Sequence, residues 1–163
     1  MQKNLLWAPL IGSILVALNA CSSPQKAFLT VQLCLVDQQG VDQFLNTMRT
    51  VAQTENLKFI DGSAKTGADL KTMGADKLLK SDPAHAINVA IEGEKGMGVT
   101  AGNLGLPPYQ VALGFTAGSD MAKARRLSDR LVHALAQQWH VATVPQGKGA
   151  FPLEGCKGDA ERK

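Results

Sequence analysis

Residues 28–52 read FLTVQLCLVDQQGVDQFLNTMRTVA, and a change of period inside this stretch decides the fold. Over 28–36 the side chains alternate. Leu29, Val31, Leu33 and Leu35 fall on one face, and Phe28, Thr30, Gln32, Cys34 and Val36 fall on the other. A period of two sends successive side chains to opposite faces of a strand. One face here is wholly apolar and the other mixed, so the strand is expected to rest one face on a core and keep the second partly covered. After Asp37 to Gly40 the spacing becomes helical: Val41, Phe44, Leu45, Met48, Val51 and Ala52 recur on one side, with Gln, Asn, Arg and Thr opposite.

The same two periods organise the rest of the chain. Leu57 to Ile60 is a brief strand closed by Asp61-Gly62, and 66–80 holds Leu70, Met73 and Leu78-Leu79 around Gly74, a short or broken helix. Asp82-Pro83 punctuates the chain. Ile87, Val89 and Ile91 then alternate over 86–92, as do Val111, Leu113 and Phe115 over 110–116. The intervening EKGMGVTAGNLGLPP, residues 94–108, is glycine-rich and is expected to be a long hairpin loop standing away from the sheet. Ser119-Asp120 suits a helix N-cap, and the helix after it turns Met121, Ala124, Leu127, Leu131 and Leu135 inward. His140 to Val144 is a last strand, followed by a loop rich in Gly and Pro, then Cys156 and a charged tail. Two strand–helix–strand halves around a hairpin give an α+β fold, a ferredoxin-like split βαβ sandwich. Its helices would cover one face of a mainly antiparallel sheet, with a short helix inserted near 62–82. Residues 28–163 would form this single domain. Cys34 would then lie on the sheet face away from the helices, where a tail carrying Cys156 could cross.

The first twenty residues have a different composition. Lys3 is their only charge, and Leu5 to Ala20 is apolar apart from Ser13 and Asn19. The run is shorter than the roughly 20 residues of a spanning helix and contains Pro9, so it reads as a secretory signal peptide. Leu18-Asn19-Ala20-Cys21 resembles the lipobox of bacterial lipoproteins. That resemblance is confined to the leader. It implies that residues 1–20 are removed, that Cys21 is acylated, and that 21–27 is a lipidated tether. Ser22, where an aspartate would stand in the retained class, resembles the pattern of lipoproteins sorted to the outer membrane. A periplasm-facing domain is the implied location.

Without residues 1–20 the chain keeps 143 residues, enough for one domain with a real core. Sixteen basic residues then face fourteen acidic ones, which argues against nucleic-acid binding and against a polybasic membrane-surface protein. Tyr109 is the single tyrosine and Trp139 the single tryptophan beyond the leader, poor material for stacking bases. Cys34 and Cys156 are the cysteines left once Cys21 carries lipid. In an oxidising compartment an even pair is read as a disulfide, and two cysteines are too few for a structural zinc site.

Chemistry-bearing patterns are sparse. The glycines of 94–108 lead into a strand rather than a helix, and no Gly-Lys-Ser/Thr ending is present, so a phosphate loop is disfavoured. Exposed loops gather binding residues, which nominates Asn103, Leu104, Leu106 and Tyr109 as a contact loop. His85 sits in a turn, His133 on the polar side of a helix and His140 at the start of a strand. No His-Glu-x-x-His or Gly-x-Ser-x-Gly is present, and Asp61 reads as well as a turn residue as a carboxylate base. No catalytic set, metal site or cofactor is therefore nominated. Lys123, Arg125, Arg126 and Arg130 with interleaved acids form a solvated helix face, able to meet an acidic protein or an anionic lipid head group. The expectation is a lipid-anchored, non-catalytic protein-binding or structural module of the bacterial envelope, such as an inhibitor, an immunity protein or an assembly accessory. Its partners would be membrane lipid, through Cys21, and an envelope protein. The alternative is a small periplasmic hydrolase or ligand-binding lipoprotein, favoured by a pocket lined by Asp61 or a histidine.

Overall fold

Strand β1, Leu29–Cys34, runs through the middle of a six-stranded sheet and hands directly to helix α1, Gln38–Thr54. The coordinates are a computed structural model that describes residues 26–75, 83–107, 109–154 and 156; the leader and Cys21 lie outside these. Between strand and helix the Asp37 carboxylate caps α1 by accepting from the Gly40 amide at 2.8 Å. Gly40 is required at this position. A Cβ there would stand 1.9 Å from the Leu35 carbonyl oxygen, so only glycine lets the helix start this close to the strand it leaves.

The remaining elements are β2 (Lys58–Asp61), α2 (Ser63–Thr72), β3 (Asn88–Glu92), β4 (Met97–Gly102), β5 (Gln110–Ala117), α3 (Met121–Ala136) and β6 (Ala142–Thr143). The order across the sheet is β2-β3-β4-β5-β1-β6, every neighbouring pair antiparallel. With β3 and β4 set aside, β1-α1-β2 and β5-α3-β6 interlock in the split βαβ plan. The chain is thus α+β, with a hairpin added between the two halves.

That added strand corrects the sequence reading. Residues 94–108 are not one long loop: Met97, Val99 and Ala101 alternate inward as β4, between β3 and β5. The glycines that disguised it do a strand's work. A Cβ on Gly98 would lie 2.3 Å from the Ile91 carbonyl oxygen, the close backbone approach that a glycine inside a strand often marks. Only 103–109 remains as the connection from β4 to β5. Other boundaries shift less. Helix α2 starts at Ser63 and ends before Met73, which is 69% exposed; Leu78 and Leu79 lie outside the described residues. The last strand is two residues long rather than five.

Helices α1 and α3 lie on one face and share a single core with the sheet. Val31 and Leu33 from β1 and Leu35 just beyond it meet Phe44 and Met48 from α1 and Leu127, Leu131 and Leu135 from α3, all at most 2% exposed. Each such side chain contributes about 1.5–3 kcal/mol by leaving water. Asp120 caps α3, accepting from the Lys123 amide at 2.8 Å. No helix among the described residues is long and apolar enough to cross a membrane.

The opposite face is covered along β1 and β5 by the C-terminal segment. Its amides are gripped by two glutamines that are 0% exposed. Gln110 donates through Nε2 to the Phe151 carbonyl at 2.6 Å and accepts from the Leu153 amide at 2.9 Å, while Gln32 Oε1 accepts from the Phe151 amide at 3.1 Å. Cys34 and Cys156 close this strap as a disulfide, with Cα atoms 5.5 Å apart across 122 residues of sequence. The crossing tail expected from the alternation of β1 is therefore present.

Candidate functional site

Strand register divides the molecule into two ends. The chain enters at Lys26, and Phe28 bonds to Phe115 near the close of β5; this base also carries the start of α3. The far end holds the close of β1 with Val36, the start of β5 with Tyr109, the β4–β5 connection, the start of β3, and the close of β2. A strand rises about 3.3 Å per residue, so Val36 stands roughly 25 Å from Phe28.

Val36 sits in an unusual backbone. Its φ is 72°, and the Asp37 amide donates to the Leu35 carbonyl at 2.9 Å, closing a γ-turn of the rare left-handed kind. A β-branched residue with positive φ is a genuine outlier, costing on the order of 1–3 kcal/mol. The turn is held by the Asp37 cap, the close approach of Gly40, and the Leu35 amide, which donates to Tyr109 at 2.8 Å. Tyr109 is also left-handed, with φ 63°. Two strained residues thus stand side by side on neighbouring strands at the same end.

Clefts flank this pair. One, of about 790 Å³, has Val36 and Trp139 on one wall and the strap residues Phe151, Pro152 and Leu153 on the other, with His140 and Glu154 also lining it. Trp139 packs edge-on against Phe44 at 6.5 Å, which fixes the exit of α3. The other cleft, of about 400 Å³, is lined by Gln38, Leu45, Asp61, Ser63, His85 and Ile87, among others. Here the Asp61 carboxylate accepts from the Ser63 amide at 3.0 Å, and Ser63 Oγ accepts from the Asn88 amide at 3.1 Å. Both groups therefore serve the turn into α2. The His85 ring lies 5.8 Å from that of Tyr109.

The nominated contact loop divides in two. Leu104 is 55% exposed and Leu106 is half-buried beside it. Asn103 is not a contact residue: it is 2% exposed, accepts from the Ile87 amide at 2.8 Å and donates to the His85 carbonyl at 2.9 Å. Tyr109 is half-buried, its ring against His85. What the sequence reading missed is the partner of Leu104 on this end, the strained Val36 and the strap's Phe151, 53% and 42% exposed. An apolar residue at the close of an alternating strand was the available signal for Val36; no local signal marks Phe151. Val36, Leu104, Phe151 and Met73, just beyond α2, are four of the five large apolar side chains left exposed among the described residues.

Charge is divided between the same two ends. Among the described residues, Asp37, Asp42, Asp61, Asp69 and Glu154 at the far end face Lys65, which pairs with Asp69, and Lys71. At the base Lys26, Lys58, Lys95, Lys123 and Lys148 face Glu92, Glu94 and Asp120, while Glu55 there is paired with Arg130. His133 and His140 are exposed on separate elements and do not meet His85. No group of three or more His, Cys, Asp or Glu placed to hold a metal occurs among the described residues. No protein-family model matches the chain, and a search of curated proteins finds no match.

Proposed function

We propose that the protein is a lipid-anchored, non-catalytic binding module of the bacterial envelope. In this reading Cys21 carries the lipid, the domain faces the periplasm from the outer membrane, and the far end meets an envelope protein. An inhibitor or immunity protein and an assembly accessory both fit that description. One observation carries the reading: Val36, the one β-branched residue with left-handed backbone among the described residues, and Phe151 stand exposed along one cleft at the end opposite the tether. Exposed large hydrophobics scattered singly need no explanation, whereas a cluster does. Strain held in place by several neighbours is a reason to look for function there. The acidic surround suits a partner segment that is apolar and basic, because complementary potentials steer encounter and choose partners.

The test is site-specific photocrosslinking in cells from Leu104 and Phe151, with Thr100 on the open sheet face as control. A discrete adduct from the two far-end positions, lost in a Leu104→Ala, Phe151→Ala variant that still folds and exports, is the expected result. Adducts of equal yield from Thr100 would remove the reading. The cleft shared by Asp61 and His85 favours the second reading, a small hydrolase or ligand-binding lipoprotein. If Asp61→Asn with His85→Gln abolishes the cellular phenotype in a folded, exported protein while the far-end double variant does not, the second reading takes first place.

A further inference from the structure

We propose that the base of the domain is a membrane-resting surface that docks onto anionic lipid head groups; the inference rests on the anchored reading. Three observations converge on this end. The described residues begin at Lys26, and Cys21 stands five residues before it in sequence, so the base lies within about 20 Å of any acyl anchor there. Lys26, Lys95, Lys123 and Lys148 come from four separate places in the sequence: the tether, the β3–β4 turn, the first turn of α3 and the loop after β6. The fold gathers them around one rim, and three of the four are exposed, Lys123 being half-buried. Carboxylates at this end are fewer than the basic residues, and the exposed Glu94 adjoins Lys95. Asp120 caps α3, Glu55 pairs with Arg130, and Glu92 stands directly across from Lys58 in the β2–β3 ladder.

The rim continues up α3 as Arg125 and Arg126, both exposed. Lysines near an anionic bilayer are attracted over a Debye length, so a body tethered this close is drawn down base-first, while its acidic far end is repelled. The electrostatic contact thus orients the domain and presents the Val36 end outward. An acidic protein is the other occupant that this chemistry would admit, and the tether's position favours the bilayer over it.

The chain from residue 21 carries the whole core, whose buried members lie between Val31 and Leu135, so it serves for the experiment with and without acylation. Acylated protein is reconstituted on vesicles of neutral phosphatidylcholine and on vesicles containing three-tenths phosphatidylglycerol. Hydrogen exchange is then measured at residues 93–97 and 118–124. Expected is extra protection of both segments on the anionic vesicles alone, lost at 0.5 M salt and lost in a Lys26→Gln, Lys95→Asn, Lys123→Gln, Lys148→Gln variant that still floats with the vesicles. Equal exchange on both vesicle types, or protection at 103–109 instead, overturns the inference. Failure of the protein to float with neutral vesicles tells against the lipid anchor alone. In that event unacylated protein still decides the matter: salt-sensitive binding to the anionic vesicles, weakened on the order of a thousandfold by the four substitutions, is expected, and no binding overturns it. Salt-sensitive capture by an acidic protein with no response to anionic vesicles would give the rim to that partner and likewise overturn it.

Discussion

Replacing Asn103 by alanine tests how the far end is built. The side chain accepts from the Ile87 amide at 2.8 Å and donates to the His85 carbonyl at 2.9 Å, tying the 83–87 turn to the close of β4. Truncation removes two hydrogen bonds, each contributing about 0.5–1.5 kcal/mol net. It also strands the amide of Ile87, a residue only 4% exposed, at a further cost of about 1–3 kcal/mol for an unmade buried bond. A loss of about 2–6 kcal/mol is expected, with the far end loosening first. Asn103→Asp keeps the acceptor for Ile87 but turns an oxygen toward the His85 carbonyl, and is expected to be destabilising as well. Urea melts with an unchanged m-value give the magnitude, and exchange of the Ile87 amide gives the location. Stability within 0.5 kcal/mol of the parent, or an Ile87 amide still fully protected in the alanine variant, would refute the reasoning. The consequence for function is direct: partner capture lost in an Asn103 variant reports a broken turn, not a lost contact.

Other perturbations separate strain, closure and packing. Val36→Gly relieves a left-handed β-branched residue while adding chain entropy to the unfolded state, so stability is expected to stay within about 1 kcal/mol of the parent; far-end partner capture should weaken, and melts paired with the crosslinking yield check both. Cys34→Ala with Cys156→Ala opens a closure spanning 122 residues, which the chain-entropy model puts at no more than about 5 kcal/mol. In that variant the Phe151 and Leu153 amides should exchange before those of β1 and β5, and simultaneous exchange would show that the strap is not a separate layer. Gly40→Ala forces a Cβ against the Leu35 carbonyl and is expected to cost about 2–4 kcal/mol by thermal melt.

Periodicity in the sequence was enough for the class of fold. The alternation of 28–36 placed Val31, Leu33 and Leu35 inward and Cys34 on the reverse face, and the helical spacing after it placed Phe44 and Met48 over them. These patterns are legible because each depends only on neighbours within a turn or two of chain. Composition likewise made Cys34 and Cys156 the pair to expect. Strand β4 was hidden for the opposite reason: its glycines answer to the Ile91 carbonyl on a neighbouring strand, a contact that no local pattern encodes. Asn103 read as a loop residue because an asparagine's hydrogen-bond partners, here fifteen or more residues away, leave no trace in spacing. The far-end surface is tertiary altogether. Val36, Leu104 and Phe151 come from three separate connections, and the lysines of the base from four. Antiparallel register brings each set to one end of the sheet, because pairing in space, not order along the chain, decides which loops share an edge.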